Sequence, residues 1–234
     1  MYTFIAKFGL VKRFRMIHLS MESQILAAAP SYTGCVLECN VQNSLHEPLL
    51  WEEISAETLR FNSRYVVEDI NKLPGIYEMR QLYKKLGKDP NRYRPSAEAL
   101  CRRLLQGKEL YQINTLVDLI NLVSIHTGFS IGGFDADKVQ GDLSIGVGQA
   151  GEPFEAIGRG LLNIEGLPVY RDAQGAIGTP TSDVERTKLS LETTQLLMVI
   201  HSAGGSSGVD QAVELSQRLL FQHAHAAVLQ IQRF

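Results

Sequence analysis

Residues 114–135 read NTLVDLINLVSIHTGFSIGGFD. Leu116, Val117, Leu119, Ile120, Leu122, Val123 and Ile125 leave almost no polar face, and a helix apolar on all sides is a buried one. Asn114 or Thr115 is placed to cap its first turn. Gly128 is placed to close it in the left-handed conformation. Only Asp118, Asn121 and Ser124 interrupt the apolar run, and Asp118 shares a face with Asn121 three residues on. A buried carboxylate destabilises unless it is hydrogen-bonded or paired. Two readings of Asp118 follow: it braces a loop or cap, or it forms the polar floor of a pocket. Gly132 and Gly133 then allow positive φ and close backbone approach after the helix.

Upstream the pattern is mainly helical. Residues 22–30, ESQILAAAP, predict a short helix stopped by Pro30, and residues 31–43 alternate like a strand. Ser55 reads as the cap of a helix to about Asp69. Pro74 reads as the first helical position of a second helix that Gly87 ends. After the loop KDPNRYRP, Ser96 reads as the cap of a further helix with Glu98 in its first turn. Downstream of Gly128, DLSIGVG, LPVYRD, ERTKLSL and LLMVIHS predict strands, with a turn from Asp172 to Gly175. A helix capped by Ser207 and a closing strand AVLQIQ complete the chain. Helices first and strands second argue an α+β fold, a helical layer over a folded sheet.

The chain has 234 residues, a formal net charge of −2 and 44% hydrophobic residues, enough for one sizeable core. No apolar run approaches the roughly 18 residues of a membrane span. Cys35, Cys39 and Cys101 lack metal-ligand spacing and read as reduced core residues of a cytoplasmic protein; no metal, cofactor or disulfide is expected. His223 and His225 are weak metal evidence, and His201, at the end of a strand, faces a cleft or is satisfied by a neighbour. Residues 1–21 read as an N-terminal extension, disordered or loosely docked, with four basic and no acidic residues in the first fifteen. Residues 22–234 form one domain.

Charge is unevenly spread. From Arg80 to Lys108 nine basic residues face two acidic ones, a local net of +7 in a chain of −2. Tyr77, Tyr83, Tyr93 and Tyr111 are interleaved with them. Lys and Arg neutralise phosphates and aromatic faces stack unpaired bases, so Arg92, Arg94, Arg102, Arg103, Lys84 and Lys88 are candidate RNA contacts. The alternative is a solvated face with arginines bracing the chain's own carboxylates. The loop IGTPTSDVERT gathers Ser182, Asp183 and Arg186; it reads as a pocket wall or as a turn stapled by Arg186. A nucleophilic serine needs a positioned base, and none is evident, so no catalytic residue is assigned.

These residues carry a resemblance. LYKKLGKDPNRYRPSAEALCRRLLQGKELYQINTLVDLINLVSI, with GGFD, GEPFEAIGRG and LNIEGLPVYRDAQGAIGTPTSDVERT, resembles the free-standing B3/4 proteins. Their domain is similar to the B3/4 tRNA-editing module of the phenylalanyl-tRNA synthetase β subunit. The string G-x-DP-x-RYRPS-x-EAL-x-RR marks the free-standing group. The module's N-x-x-VD-x-x-N helix and its FD loop match Asn114, Val117, Asp118, Asn121, Phe134 and Asp135. The resemblance implies a three-layer β/β/α fold and a pocket between sheet and loops. It also implies a role in translation quality control, water cleaving a mischarged aminoacyl-tRNA without a metal. One departure is that the module carries a histidine two residues before the Phe-Asp pair, where this sequence has Gly132. Glu165 and Asp172 lie where the module holds its acidic side-chain sensor, without a residue-level match. The expected partner is tRNA or aminoacyl-tRNA. The expected pocket is Asn114, Asp118, Asn121, Gly132, Gly133, Asp135, Ser182, Asp183 and Arg186. The rival is a pocket-bearing module that holds a free amino acid and no RNA.

Overall fold

Residues 34–39 are all buried, and so are residues 195–202, which places both strands inside a sheet covered on its two faces. A strand buried on both faces reads as a continuous apolar run, and all eight residues from Gln195 to Ser202 are buried. The computed structural model describes residues 17–234. In chain order the elements are β1 (Leu19–Met21), α1 (Ser23–Ala28), β2 (Thr33–Asn40), α2 (Pro48–Arg64), α3 (Pro74–Lys85), α4 (Ser96–Leu105), α5 (Thr115–Thr127), β3 (Ile131–Asp135), β4 (Leu143–Val147), β5 (Glu155–Ala156), β6 (Gly160–Leu161), β7 (Pro168–Asp172), β8 (Gly175–Gly178), β9 (Gln195–Ser202), α6 (Val209–His223) and β10 (Ala227–Arg233).

The strands form two four-stranded sheets and a small hairpin, β5–β6. One sheet has the order β10-β2-β9-β3 and is antiparallel throughout. The other has the order β1-β4-β7-β8, with β1 parallel to β4. Strand periodicity sends Cys35, Leu37, Cys39, Leu196, Met198 and Ile200 to one face of the first sheet, where α2, α4, α5 and α6 cover them. Val36, Leu197, Val199 and Phe134 point the other way and meet Ile145, Val169, Tyr170 and Ile177 of the second sheet. The result is an α+β fold of three layers, sheet on sheet on helices.

α5 forms as its sequence requires. Asn114 Oδ1 accepts a hydrogen bond from Val117 N at 3.1 Å, and Gly128 closes the helix at φ +78°. Leu116, Leu119 and Val123 have no exposure, each contributing roughly 1.5–3 kcal/mol of burial. The three cysteines are buried and free.

Several expectations are corrected. Residues 17–21 belong to the domain: Ile17 is buried, its N–H donates to Glu38 Oε1 at 3.0 Å, and Leu19–Met21 pairs with β4. The rest of the expected extension, residues 1–16, lies outside the described residues. α2 starts at Pro48, after Glu47, whose side chain accepts from Leu49 N. Ser55 is mid-helix, donating to Trp51 O at 2.7 Å. Ser96 is the first residue of α4, and Gly208 precedes α6 where Ser207 was expected to cap. ERTKLSL is no strand: it holds a single 3-10 turn, Glu185–Thr187. The helix-then-strand order holds in part, since β2 comes early and α6 late.

Candidate functional site

The start of α4 lies beside the end of α5, with Ala97 N donating to Ser130 Oγ at 3.3 Å. Between these helices, β3 and the loop after β8 lies a cleft of about 400 Å³. Its walls are mainly aliphatic: Leu100 from α4, Ile113 before α5, Val117 and Ile120 from α5, Ile157 after β5 and Leu189. Polar groups enter from Ser96, Asn121, Ser124, Thr179, Ser182, Asp183 and Lys188.

Gly133 lies at the floor, where a side chain would press on the tips of Ile120 and Leu189. A Cβ there would stand 2.4 Å from Ile120 Cδ1 and 3.2 Å from Leu189 Cδ1. The loop that carries Asp183 is held from behind. Thr179 Oγ1 accepts from the N–H groups of Thr181 and Ser182 at 3.1 and 3.0 Å, and Thr181 Oγ1 lies 2.9 Å from Tyr83 OH. Ile157 N donates to Asp183 O at 3.0 Å, tying the β5–β6 hairpin to the same loop. The Asp183 side chain keeps partial access through the cleft, yet heavy atoms surround it closely. Its single hydrogen bond comes from Gly133 N at 3.4 Å, long for such a bond. Burial pushes its carboxyl up to about 7 from the usual 3.8, against the smaller lowering by Gly133 N–H. A carboxyl poised near neutrality at the bottom of an apolar cleft is suited to take a hydrogen-bond donor or to accept a proton.

Of the residues expected at a pocket, Asn121, Gly133, Ser182 and Asp183 meet at this cleft. The other five stand elsewhere. Asn114 is the cap of α5. Asp118 accepts from Trp51 Nε1 at 2.9 Å and Ile113 N at 3.0 Å, so it braces α5 against α2 and the preceding loop. The stripe Val117, Ile120, Asn121 and Ser124 faces the cleft, and Asp118 lies one helical step off it. Gly132 faces the opposite side of β3, where a Cβ would meet the Phe134 ring at 2.8 Å. Asp135 accepts from Thr193 Oγ1 at 3.0 Å and pairs with Lys138 at 3.1 Å. Arg186 grips Asp172 through two bonds of 2.8 and 2.9 Å, which holds the Asp172 carboxyl below its usual range despite burial. The aliphatic walls escaped sequence reading because each wall residue alone reads as core.

The basic segment is divided. Glu98 is fully buried and gathers Arg80 at 2.8 Å, Arg102 at 2.8 Å and Arg94 at 3.4 Å. Lys88 is buried, donating to Asn163 O and Glu165 O and lying 3.8 Å from the Tyr93 ring centroid. Lys84 and Arg92 are exposed, and Arg94 keeps 42% side-chain exposure. Arg103 stacks on Tyr111 and donates to Glu109 O. His201 does not face the cleft: it is buried between Tyr32 and Tyr170, and burial holds its imidazole down to about 3.

A second cleft of about 430 Å³ lies between the ends of α2 and α5. Its polar groups are already joined, Glu57 to Arg60 at 2.8 Å and to His126 at 3.0 Å. Among the described residues no group of three metal-ligating side chains is found, and no helix is long and apolar enough to cross a membrane.

The B3/4 domain model matches residues 78–217, more than half of the chain. This chain belongs to the B3/4 domain family. Every residue lining the Asp183 cleft falls inside the matched B3/4 span. The phenylalanine–tRNA ligase β subunit of Bartonella quintana (strain Toulouse) is 38% identical over 69 residues, 29% of this chain and 9% of the relative. That of Bartonella henselae is 34% identical over 97 residues, 40% of this chain and 12% of the relative. The B3/4 chain thus spans about a tenth of the curated relatives it matches. An N-terminal fragment of the phenylalanyl-tRNA synthetase β subunit from Pyrococcus horikoshii superposes with a TM-score of 0.49 at 14% identity, covering 92% of this chain and 50% of that one.

Proposed function

We propose that the cleft receives the aminoacylated 3′ end of a tRNA, with the amino-acid side chain against Leu100, Val117 and Ile120 and its polar end at Asp183. The observation that carries this reading is a half-buried carboxyl with one long hydrogen bond, set in a mainly aliphatic cleft of a B3/4 domain. The curated relatives are β subunits of a ligase that acts on tRNA, which supports the class of ligand. The exposed cations Lys84, Arg92 and Arg94, with the half-buried Arg103, would neutralise phosphates. The proposal is of binding. Hydrolysis of the ester is the further activity, in which a water attacks and backbone N–H groups stabilise the developing oxyanion. Such a role belongs with translation, in the cytoplasm.

A panel of tRNAs, each charged with its own or a wrong amino acid, tests this by filter binding and by release of the amino acid. The expected result is selective retention or deacylation of some charged species, with the selection altered in Asp183→Asn. Equal, salt-independent behaviour towards charged tRNA, uncharged tRNA and no RNA overturns it.

A second reading is favoured by one observation: Arg80 and Arg102 turn to Glu98, which removes cations from the surface. On this reading the cleft holds a free amino acid and no RNA. Calorimetric titration with free amino acids separates the two, since only the second predicts saturable binding in the absence of RNA.

A further inference from the structure

Ser96, Leu100 and Arg103 stand four and three residues apart on α4 and so form one stripe along the helix. The first two line the cleft. The third continues the line beyond it, where α4 ends and Gly107 turns the chain at φ +69°. There the Arg103 guanidinium lies 3.8 Å from the centroid of the Tyr111 ring. Arg103 is fixed in this position, its Nε donating to Glu109 O at 2.6 Å and its carbonyl accepting from Lys108 N at 3.1 Å. Tyr111 is 67% exposed, and Ile113, two residues on, lines the cleft.

A single exposed tyrosine is ordinary. This one is held by a cation on one side, open to solvent over most of its surface, and two residues along the chain from the cleft-lining Ile113. Lys108, also exposed, adds positive charge beside it. We propose that Tyr111 and Arg103 form a stacking platform for the unpaired terminal base of an RNA whose 3′ ribose enters the cleft. The inference rests on the reading of the cleft as an aminoacyl-end site. Every base has a π-face, and the guanidinium beside the ring adds attraction for a base and its phosphate, so the platform tolerates any base identity.

The test uses the full chain and an RNA minihelix with a single-stranded CCA end, compared with the same minihelix lacking only its terminal base. Fluorescence anisotropy at low salt gives both affinities. The wild type should bind the complete end roughly tenfold more tightly than the abasic one, within the range of base–aromatic stacking. Tyr111→Ala should erase that difference while leaving abasic binding unchanged, and Tyr111→Phe should preserve it, because stacking needs the ring and not the hydroxyl. Wild-type discrimination retained in Tyr111→Ala, or lost equally in Tyr111→Phe, overturns the platform and leaves the cleft reading standing. Absence of wild-type binding to either minihelix overturns both.

Discussion

Among the described residues the Asp183 carboxyl receives one hydrogen bond, from the backbone N–H of Gly133 at 3.4 Å, on a cleft floor that has no side chain of its own. The carboxyl therefore sits with little compensation for lost hydration, and its folded-state value is raised to about 7. Between about pH 4 and pH 7 the folded chain keeps a proton that the unfolded chain has released, so this group's contribution to stability falls as pH rises through that window. Asp183→Asn should be more stable than the wild type at pH 8, by at most roughly 4 kcal/mol and by less to the extent that the cleft's solvent access screens the charge, and equal to it near pH 4. Urea denaturation at the two pH values measures this. A difference of the same size at both, or of opposite sign at pH 8, contradicts the burial argument.

Glu98 is the counter-charge for a buried arginine. Arg80 has 9% side-chain exposure and meets both Glu98 oxygens. Glu98→Gln should destabilise the fold by about 3–5 kcal/mol, because it leaves the Arg80 charge buried with only neutral acceptors. A denaturation midpoint within the error of the wild type would show that Arg80 is rehydrated instead.

Asp118→Asn should act on stability alone. An amide retains one acceptor for Ile113 N or Trp51 Nε1 and loses the other, a cost of roughly 1–2 kcal/mol. Trp51 is the one tryptophan of the chain, so its emission reports the change directly. RNA affinity and its salt slope should be unaltered; a change in ligand selection would return Asp118 to the site.

Changing Arg92 and Arg94 together to Ala should shallow the plot of log affinity against log salt by about 1.5 if each meets one phosphate. The loss should be the same for all tRNAs, since phosphate contacts carry no sequence information. An unchanged slope would place the RNA on another face.

Much of the fold was legible because local rules decided it. Asn114 and Gly128 bound α5 as caps must, and the run LLMVIH is a central strand because nothing polar interrupts it. Where the reading slipped, a distant partner decided. Ser55 is the exception, misread for a local reason: its hydroxyl bonds Trp51 O one turn back, and the real start is Pro48. Asp118 resembles a pocket residue because its partner, Trp51, lies 67 positions away. Glu98 resembles a first-turn acid favoured by the helix dipole, and the arginine that covers it comes from α3. In the cleft, Ser182 and Asp183 were visible as polar residues in a loop. The aliphatic walls were not, since periodicity cannot tell a residue facing a cleft from one facing the core.

The order of strands in the central sheet bears on how the chain is made. β2 leaves the ribosome before helices α2 to α5, yet its neighbours β9 and β10 both follow them. Until residue 202 has appeared, the run GCVLEC at 34–39 has no hydrogen-bonded strand beside it. Helices α2 to α5 meanwhile lack the wall that their apolar faces cover. Nascent chains halted before β9 would therefore carry a bare strand and uncovered helices, the species most prone to aggregate during synthesis. Sheet closure is long-range, which makes the appearance of β9, rather than helix formation, the event on which folding waits.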